Sequence, residues 1–179
     1  MFMRSCRIML LACGAALISF TSHAEAPASA PHLGKPMSAA EISQWDLSVF
    51  PDGRGLPAGR GTAKEGQALF ATNCEHCHGP AGRGATAEEL VGEPTPPTVD
   101  NPNKSIGPYW PHATTIFDFI RRSKPPEKPG SLTADQVYAL TAYLLSANKV
   151  IDETAEMNAQ SLAKVQMPNR DGFTRIDAP

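Results

Sequence analysis

The residues with the clearest chemical meaning are two cysteines and a histidine in the run Cys74-Glu75-His76-Cys77-His78. On one helical turn, both thiols lie close enough to add to the vinyl groups of a single porphyrin. The residue after the second cysteine can then turn its imidazole toward the iron. The spacing therefore predicts one covalently bound haem c, attached at Cys74 and Cys77, with His78 as the proximal iron ligand.

A zinc site and a small disulfide are the other possible uses of this motif. A structural zinc ion is almost always tetrahedral, so His76 or His112 would have to complete its ligand set. The remaining cysteines, Cys6 and Cys13, lie at the extreme N-terminus and cannot form a second pair in the mature chain. The sequence therefore favours haem. We also expect His78 to donate its second ring N–H to a backbone carbonyl, which would fix the ring.

The first 24 residues have the pattern of a cleaved export signal. Arg4 and Arg7 precede an apolar run, Ile8 to Phe20, and small residues stand before Glu25, where we expect cleavage. The run Leu10-Leu11-Ala12-Cys13 also resembles a lipoprotein signal, but only about five apolar residues would precede its cysteine. No later segment approaches the ~20 apolar residues of a membrane span. We therefore predict a periplasmic protein with no membrane span.

The charge balance argues against a general nucleic-acid binder. The chain has 16 Lys and Arg residues against 18 Asp and Glu residues. Loss of Arg4 and Arg7 with the signal would leave 14 against 18, a net charge of −4, before any haem propionates are counted. Nucleic-acid-binding domains are typically basic. An acidic chain is instead compatible with a protein partner that carries a positive patch.

The segments around the cysteine motif predict an all-α domain. A capping box at Thr62 opens a helix that leads into the motif, and a second box at Thr133 opens a helix that ends near Asn148. A shorter apolar helix is predicted over residues 115–122. Residues 79–113 are rich in Gly and Pro and show no period, which predicts a long irregular loop that wraps the haem.

Four segments follow from this pattern. They are a signal peptide (1–24), a flexible leader with a packed N-terminal extension (25–59), the cytochrome c domain (60–150) and a C-terminal extension (151–179) that is polar. The extension before the domain offers four apolar anchors: Trp45, Leu47, Val49 and Phe50. A short helix is predicted over 161–165. We expect Phe70, Tyr138 and Tyr143 to lie where the first and last helices of the domain cross, with Gly66 allowing close approach.

Blocks on both sides of the motif resemble one branch of the class I cytochromes c. That branch contains the monohaem cytochrome subunits of sulfite dehydrogenase and sulfur dehydrogenase, and the similar blocks are residues 45–57, 109–111, 115–118, 137–145 and 167–173. The resemblance implies a class I fold of small helices wrapped around one covalent haem. It also implies that the chain takes single electrons from a molybdenum-containing catalytic subunit and passes them to another periplasmic cytochrome.

The distal iron ligand is where the chain departs from these relatives. They usually carry Ala-Met-Pro after the short helix, with the methionine on the iron, whereas this chain has Ser123-Lys124-Pro125. Three possibilities stay open: Lys124 binds, Met167 binds, or the position is open or taken by His112. Pro125 restrains Lys124 to extended geometry, which favours an inward side chain. Freeing the lysine lone pair at pH 7 costs about 4–5 kcal/mol before the iron bond compensates. We favour Lys124.

The sequence leads to three functional hypotheses, one of which is a haem-bearing structural subunit that mainly stabilises its partner. The sequence offers no base, nucleophile or second metal beside the haem, which favours an electron carrier that is not itself catalytic. The alternative is a haem enzyme or a gas-binding haem protein with an open or lysine-ligated distal site.

Overall fold

The structure, a computed structural model, describes residues 34–100, 102–174 and 176. The chain divides into two units, residues 1–36 and residues 37–179. The predicted signal peptide and most of the predicted flexible leader lie outside the described residues. In the part of the chain that is described, no helix is long and apolar enough to cross a membrane.

The second unit is predominantly helical, which confirms the predicted fold class. Its described residues form seven α-helices, one 3-10 turn and two short strands. In chain order these are α1 (Ala39–Trp45), β1 (Arg60–Thr62), α2 (Ala63–Asn73), α3 (Glu75–His78), the 3-10 turn (Pro80–Gly82), α4 (Ile106–Tyr109), α5 (Ala113–Ser123), α6 (Ala134–Ala147), β2 (Glu156–Asn158) and α7 (Ala159–Leu162).

Reciprocal capping boxes begin the two helices that form the centre of the domain. The Thr62 N–H donates to Glu65 Oε2 at 2.8 Å, and the Glu65 N–H donates to Thr62 Oγ1 at 3.4 Å. Thr133 and Gln136 repeat this arrangement at the start of α6, with distances of 2.8 and 3.3 Å. Each pair satisfies N–H groups that have no partner inside the helix. Both helices therefore begin where the sequence predicts.

α2 and α6 cross in direct contact in the core of the domain. A Cβ at Gly66 would lie 2.7 Å from the Tyr143 Cβ and would also overlap the Ala139 carbonyl, so only glycine fits there. Beside this point the Phe70 and Tyr143 rings pack with their centroids 5.2 Å apart. Tyr138 is fully buried and donates its hydroxyl to the Pro57 carbonyl at 2.8 Å. The predicted aromatic core at this crossing is confirmed.

A two-stranded antiparallel sheet, which the sequence did not predict, pairs the residues just before α2 with residues after α6. β1 pairs with β2 so that Gly61 lies opposite Met157. Behind the ladder the C-terminal segment packs on the core, because Met157, Leu162 and Met167 are each at most 4% exposed. The short helix predicted at 161–165 is α7, but it lies at Ala159–Leu162: it begins two residues earlier, where Asn158 caps it, and ends three residues earlier.

The segment before the domain packs against α5 through backbone groups. The Val49 N–H donates to Asp118 Oδ1 at 2.9 Å, and the Arg121 guanidinium donates to the Leu47 carbonyl at 3.3 Å. Leu47 and Val49 are half-buried, as expected of anchors. The prediction was wrong for Trp45, which is 79% exposed, and for Phe50, which is 44% exposed. Trp45 ends α1, a capped helix with no buried residue, so most of its surface stays exposed in the described chain.

The close contact at Gly66 gives a direct stability test. Gly66→Ala should lower the free energy of unfolding by about 1–3 kcal/mol, because the added methyl group overpacks the α2–α6 contact. The measurement is denaturant unfolding followed by circular dichroism. Gln67→Ala, at the next and exposed position of α2, should leave stability nearly unchanged. An unchanged or more stable Gly66→Ala variant would contradict the close crossing.

Candidate functional site

The end of α2 delivers the cysteine motif as a single helical turn. The Cys74 N–H donates to the Phe70 carbonyl at 2.8 Å and so completes α2. The Cys74 carbonyl then accepts the N–H groups of Cys77 and His78 at 3.1 and 2.9 Å, which forms α3. Because Phe70 is buried in the α2–α6 contact, the position of the whole turn is fixed by the core.

The chain turns back at Gly79 and folds the next residues over this turn. Gly79 has φ of 73°, and a Cβ there would overlap the Gly84 carbonyl, so the reversal requires glycine. The Ala87 N–H donates to the Cys77 carbonyl at 2.8 Å, and the Gly84 N–H donates to the His78 carbonyl at 2.7 Å. The loop is therefore built directly on the motif that precedes it.

This reversal brings a backbone carbonyl to the His78 ring, as predicted from the sequence. His78 Nδ1 lies 2.8 Å from the Glu88 carbonyl oxygen. A carbonyl can only accept, so Nδ1 carries the proton and Nε2 keeps its lone pair. A histidine held in this tautomer is prepared to bind a metal through Nε2.

Cys74, Cys77 and His78 open onto one cavity of about 420 Å³. That volume lies in the range of small-molecule and cofactor sites. The inner wall is apolar and is formed mainly by Phe70, Ile106, Trp110, Ile116, Ile120, Leu140 and Leu144. The two thiols are not joined in a disulfide. Within the described residues no group of three or more His, Cys, Asp or Glu side chains is arranged to hold a metal ion, so the zinc alternative finds no ligand set here. An apolar cavity beside two free thiols fits a covalently attached porphyrin.

The long segment 79–113 forms one side of this cavity. It is largely irregular, as predicted, but it contains the 3-10 turn and α4. Asn148 at the end of α6 holds it in place: its side-chain amide donates to the Leu90 carbonyl at 3.1 Å and to the Leu144 carbonyl at 2.8 Å. Leu90 lines the cavity two residues after Glu88. The same segment therefore shapes the cavity wall and positions the carbonyl that accepts the hydrogen bond from the His78 ring.

The other predicted ligand candidates occupy different environments. Lys124 lines the cavity, is half-buried, and has the extended backbone (φ −123°, ψ 148°) expected before Pro125. Met167 is 4% exposed, packs in the hydrophobic core and does not line the cavity. His112 flanks the start of α5 and does not line it either. Of the three, the structure brings only Lys124 to the cysteine motif.

Electrostatics link Lys124 to the attachment site. Burial raises the pKa of the Cys74 thiol to about 11, and the positive charge of Lys124 partly opposes that rise. The cavity mouth carries exposed polar side chains, namely His76, Glu88, Glu89 and Lys104. Sequence reasoning missed Lys104 and Asn148, because both lie outside any motif and are placed only by the folding of the loop over α6.

Comparison with known proteins places these features in a family. A family model for cytochrome c matches residues 63–148. Among solved structures, a chain in the crystal structure of the sulfane dehydrogenase SoxCD from Paracoccus pantotrophus is 38% identical, with a TM-score of 0.77. The match covers 82% of this chain and 73% of that chain, so it extends beyond the region of the family model. No protein with a curated description matches.

The role given to Asn148 can be tested by mutation. Asn148→Ala removes two hydrogen bonds of a buried side chain and should lower the free energy of unfolding by about 1–3 kcal/mol. Because the loop that presents the Glu88 carbonyl would lose its tie to α6, we also expect the absorption spectrum of the haem-loaded protein to change. Asn103→Ala, in the same loop but outside the cavity wall, serves as the control for the spectrum. A destabilised Asn148→Ala protein with an unaltered spectrum would contradict the link to His78.

Proposed function

The chain belongs to the cytochrome c family, and we propose that it accepts electrons in the periplasm from a molybdenum-containing dehydrogenase that oxidises sulfite or a related sulfur compound. Family membership makes the chain an electron carrier with covalently bound haem c. The observation that carries the finer proposal is the match to a chain of SoxCD over most of both chains. Resemblance to the cytochrome subunits of sulfite and sulfur dehydrogenases in blocks outside the haem motif supports the same branch.

Three residues would hold the cofactor. Each thiol of Cys74 and Cys77 would add its S–H across one vinyl group, with the C–S bond formed on one carbon, the hydrogen on the neighbouring carbon and no net oxidation or reduction. His78 would supply the Nε2 lone pair to the iron while the Glu88 carbonyl holds Nδ1–H. When bound, haem c supplies a one-electron iron couple whose potential depends on its ligands and its burial.

The walls of the cavity suit electron transfer better than chemistry on a substrate. Its inner side chains are apolar, and the acid–base groups that reach it lie mainly at the exposed mouth. Apolar walls exclude water from the cofactor, and among the described lining residues Lys124 is the one half-buried basic side chain not assigned to haem attachment. Because haem c carries one electron at a time, a dehydrogenase that removes two electrons from a sulfur compound would have to deliver them singly. It could do so to two copies of this chain or to one copy twice.

The proposed periplasmic setting is supported by the export-signal pattern of residues 1–24, which lie outside the described part of the structure. Delivery of each electron to a second periplasmic cytochrome would complete the cycle, as the resemblance implies.

Covalent attachment is tested on the purified mature protein. Acid–acetone extraction should leave the haem on the chain, and the intact mass should correspond to one haem on a polypeptide that begins at Glu25. Cys74→Ala or Cys77→Ala should weaken attachment, because each removes one of the two thioether bonds. His78→Ala should retain haem but lose the proximal ligand, which absorption spectroscopy detects. Haem that extracts freely from the wild-type protein would contradict the assignment.

The partner is tested by rapid mixing with purified dehydrogenases. The oxidised protein should be reduced within the turnover time of a molybdenum-containing sulfite or sulfur-compound dehydrogenase when that enzyme has its substrate. Omission of the substrate is the control, and His78→Ala should accept electrons more slowly. Failure of every such dehydrogenase to reduce the protein at useful rates would refute the subunit proposal while leaving its identity as a cytochrome c intact.

A further inference from the structure

We propose that Lys124 is the distal ligand of the haem iron and binds it through the lone pair of Nζ. This inference rests on the proposed attachment of haem c at Cys74 and Cys77 with His78 on the proximal side. It concerns what occupies the remaining axial position, and it departs from the methionine ligand of similar proteins.

The donor groups that line the cavity differ in their exposure and in their position relative to the cysteines. His78 is already assigned, and His76 lies on the same helical turn between the two cysteines, so it belongs to the attachment side. The other ionisable groups at the cavity, Glu88, Glu89 and Lys104, are exposed at its mouth. Lys124 is the half-buried nitrogen donor that remains among the described lining residues.

Lys124 and His78 reach the cavity from different elements of the fold. α3, which carries His78, packs against α2 and the 3-10 turn, whereas α5, which Lys124 follows directly, packs against α6. The two elements therefore belong to different parts of the helical core, and both His78 and Lys124 line the cavity. A donor carried by a separate element can supply the coordination position that His78 would leave free.

The backbone and the neighbouring side chains hold Lys124 in place at the cavity. Its N–H donates to the Ile120 carbonyl at 3.0 Å and completes α5, while the following Pro125 and Pro126 keep the chain from continuing the helix. The side chain lies along the Phe119 ring, with Nζ 5.2 Å from the ring centroid. In the described part of the chain, Lys124 forms no ion pair. The amine is thus held at the cavity without a carboxylate that would compete for it.

The competing ligands would each require a rearrangement. Met167 would have to leave a site in the hydrophobic core where it is 4% exposed. His112 would have to move from the start of α5 into a cavity that it does not line. Lys124 already lines the cavity.

Coordination by lysine has a defined chemical balance and consequence. The ammonium releases one proton to solvent, and the resulting amine donates its lone pair to the iron without any change in oxidation state. An amine is a harder donor than a thioether, and methionine ligation is the arrangement that raises the potential of cytochromes c. The chain should therefore have a lower reduction potential than its Lys124→Met variant.

The experiment compares spectra of the intact haem-loaded protein and its variants. The wild-type ferric protein should be low-spin and should lack the weak near-infrared band of a methionine–iron bond. Lys124→Ala should convert the ferric haem to a high-spin or water-ligated form, and its ferrous form should bind carbon monoxide faster than the wild type. Lys124→Met should create the methionine band and raise the potential.

Two matched variants separate ligation from charge and packing. Lys128→Ala removes a lysine from the exposed part of the same loop, and Met167→Leu conserves the bulk of the core residue; both should keep the wild-type ferric spectrum. The proposal is overturned if Lys124→Ala leaves the spectrum unchanged, or if Met167→Leu alone converts the haem to high spin. Mass spectrometry of each variant shows whether the haem is still attached, so failure of lysine ligation can be told apart from failure of covalent attachment.

Discussion

The close approach of α2 to α6 at Gly66 determines where this chain can hold a haem. With no side chain at that position, the two helices come near enough for the Phe70 and Tyr143 rings to pack beside the crossing. Phe70 then accepts the backbone N–H of Cys74, so the attachment turn begins from a buried and rigid point. A displacement of α2 would move Cys74, Cys77 and His78 together. Preorganisation of this kind keeps the ligand geometry independent of the mobile parts of a protein.

The cavity is completed by segments that are themselves tied to the central helices. The loop after α3 reaches back to the His78 ring through the Glu88 carbonyl and is held on α6 by Asn148. α5 supplies part of the apolar cavity wall, and Lys124 follows directly after it. The segment before the domain packs against α5 through Asp118. The chain is acidic overall, and the charged side chains at the cavity lie mainly at its exposed mouth. The apolar interior is therefore available to the cofactor.

Sequence reasoning succeeded where local chemistry dictates structure. The capping boxes at Thr62 and Thr133 placed the starts of α2 and α6, and the cysteine spacing identified the cofactor. It failed where long-range packing decides. The β1–β2 ladder pairs three-residue strands about a hundred positions apart, which no local period reveals. Trp45 looked like an anchor because it is large and apolar, yet its helix has no buried residue. Sequence patterns favoured Lys124 but left Met167 open, because that choice depends on which side chain the fold turns into the cavity.

The most direct test of the central claim, that this chain carries single electrons on one buried haem, is an optical redox titration of the purified protein. If the chain carries single electrons on one haem, the titration should show one reversible transition between ferric and ferrous spectra that follows a one-electron Nernst curve, with the same midpoint in both directions. A second transition, a two-electron slope, or a ferrous form that is consumed by oxygen as fast as it forms would contradict it. Those results would instead favour a haem that binds and transforms small molecules.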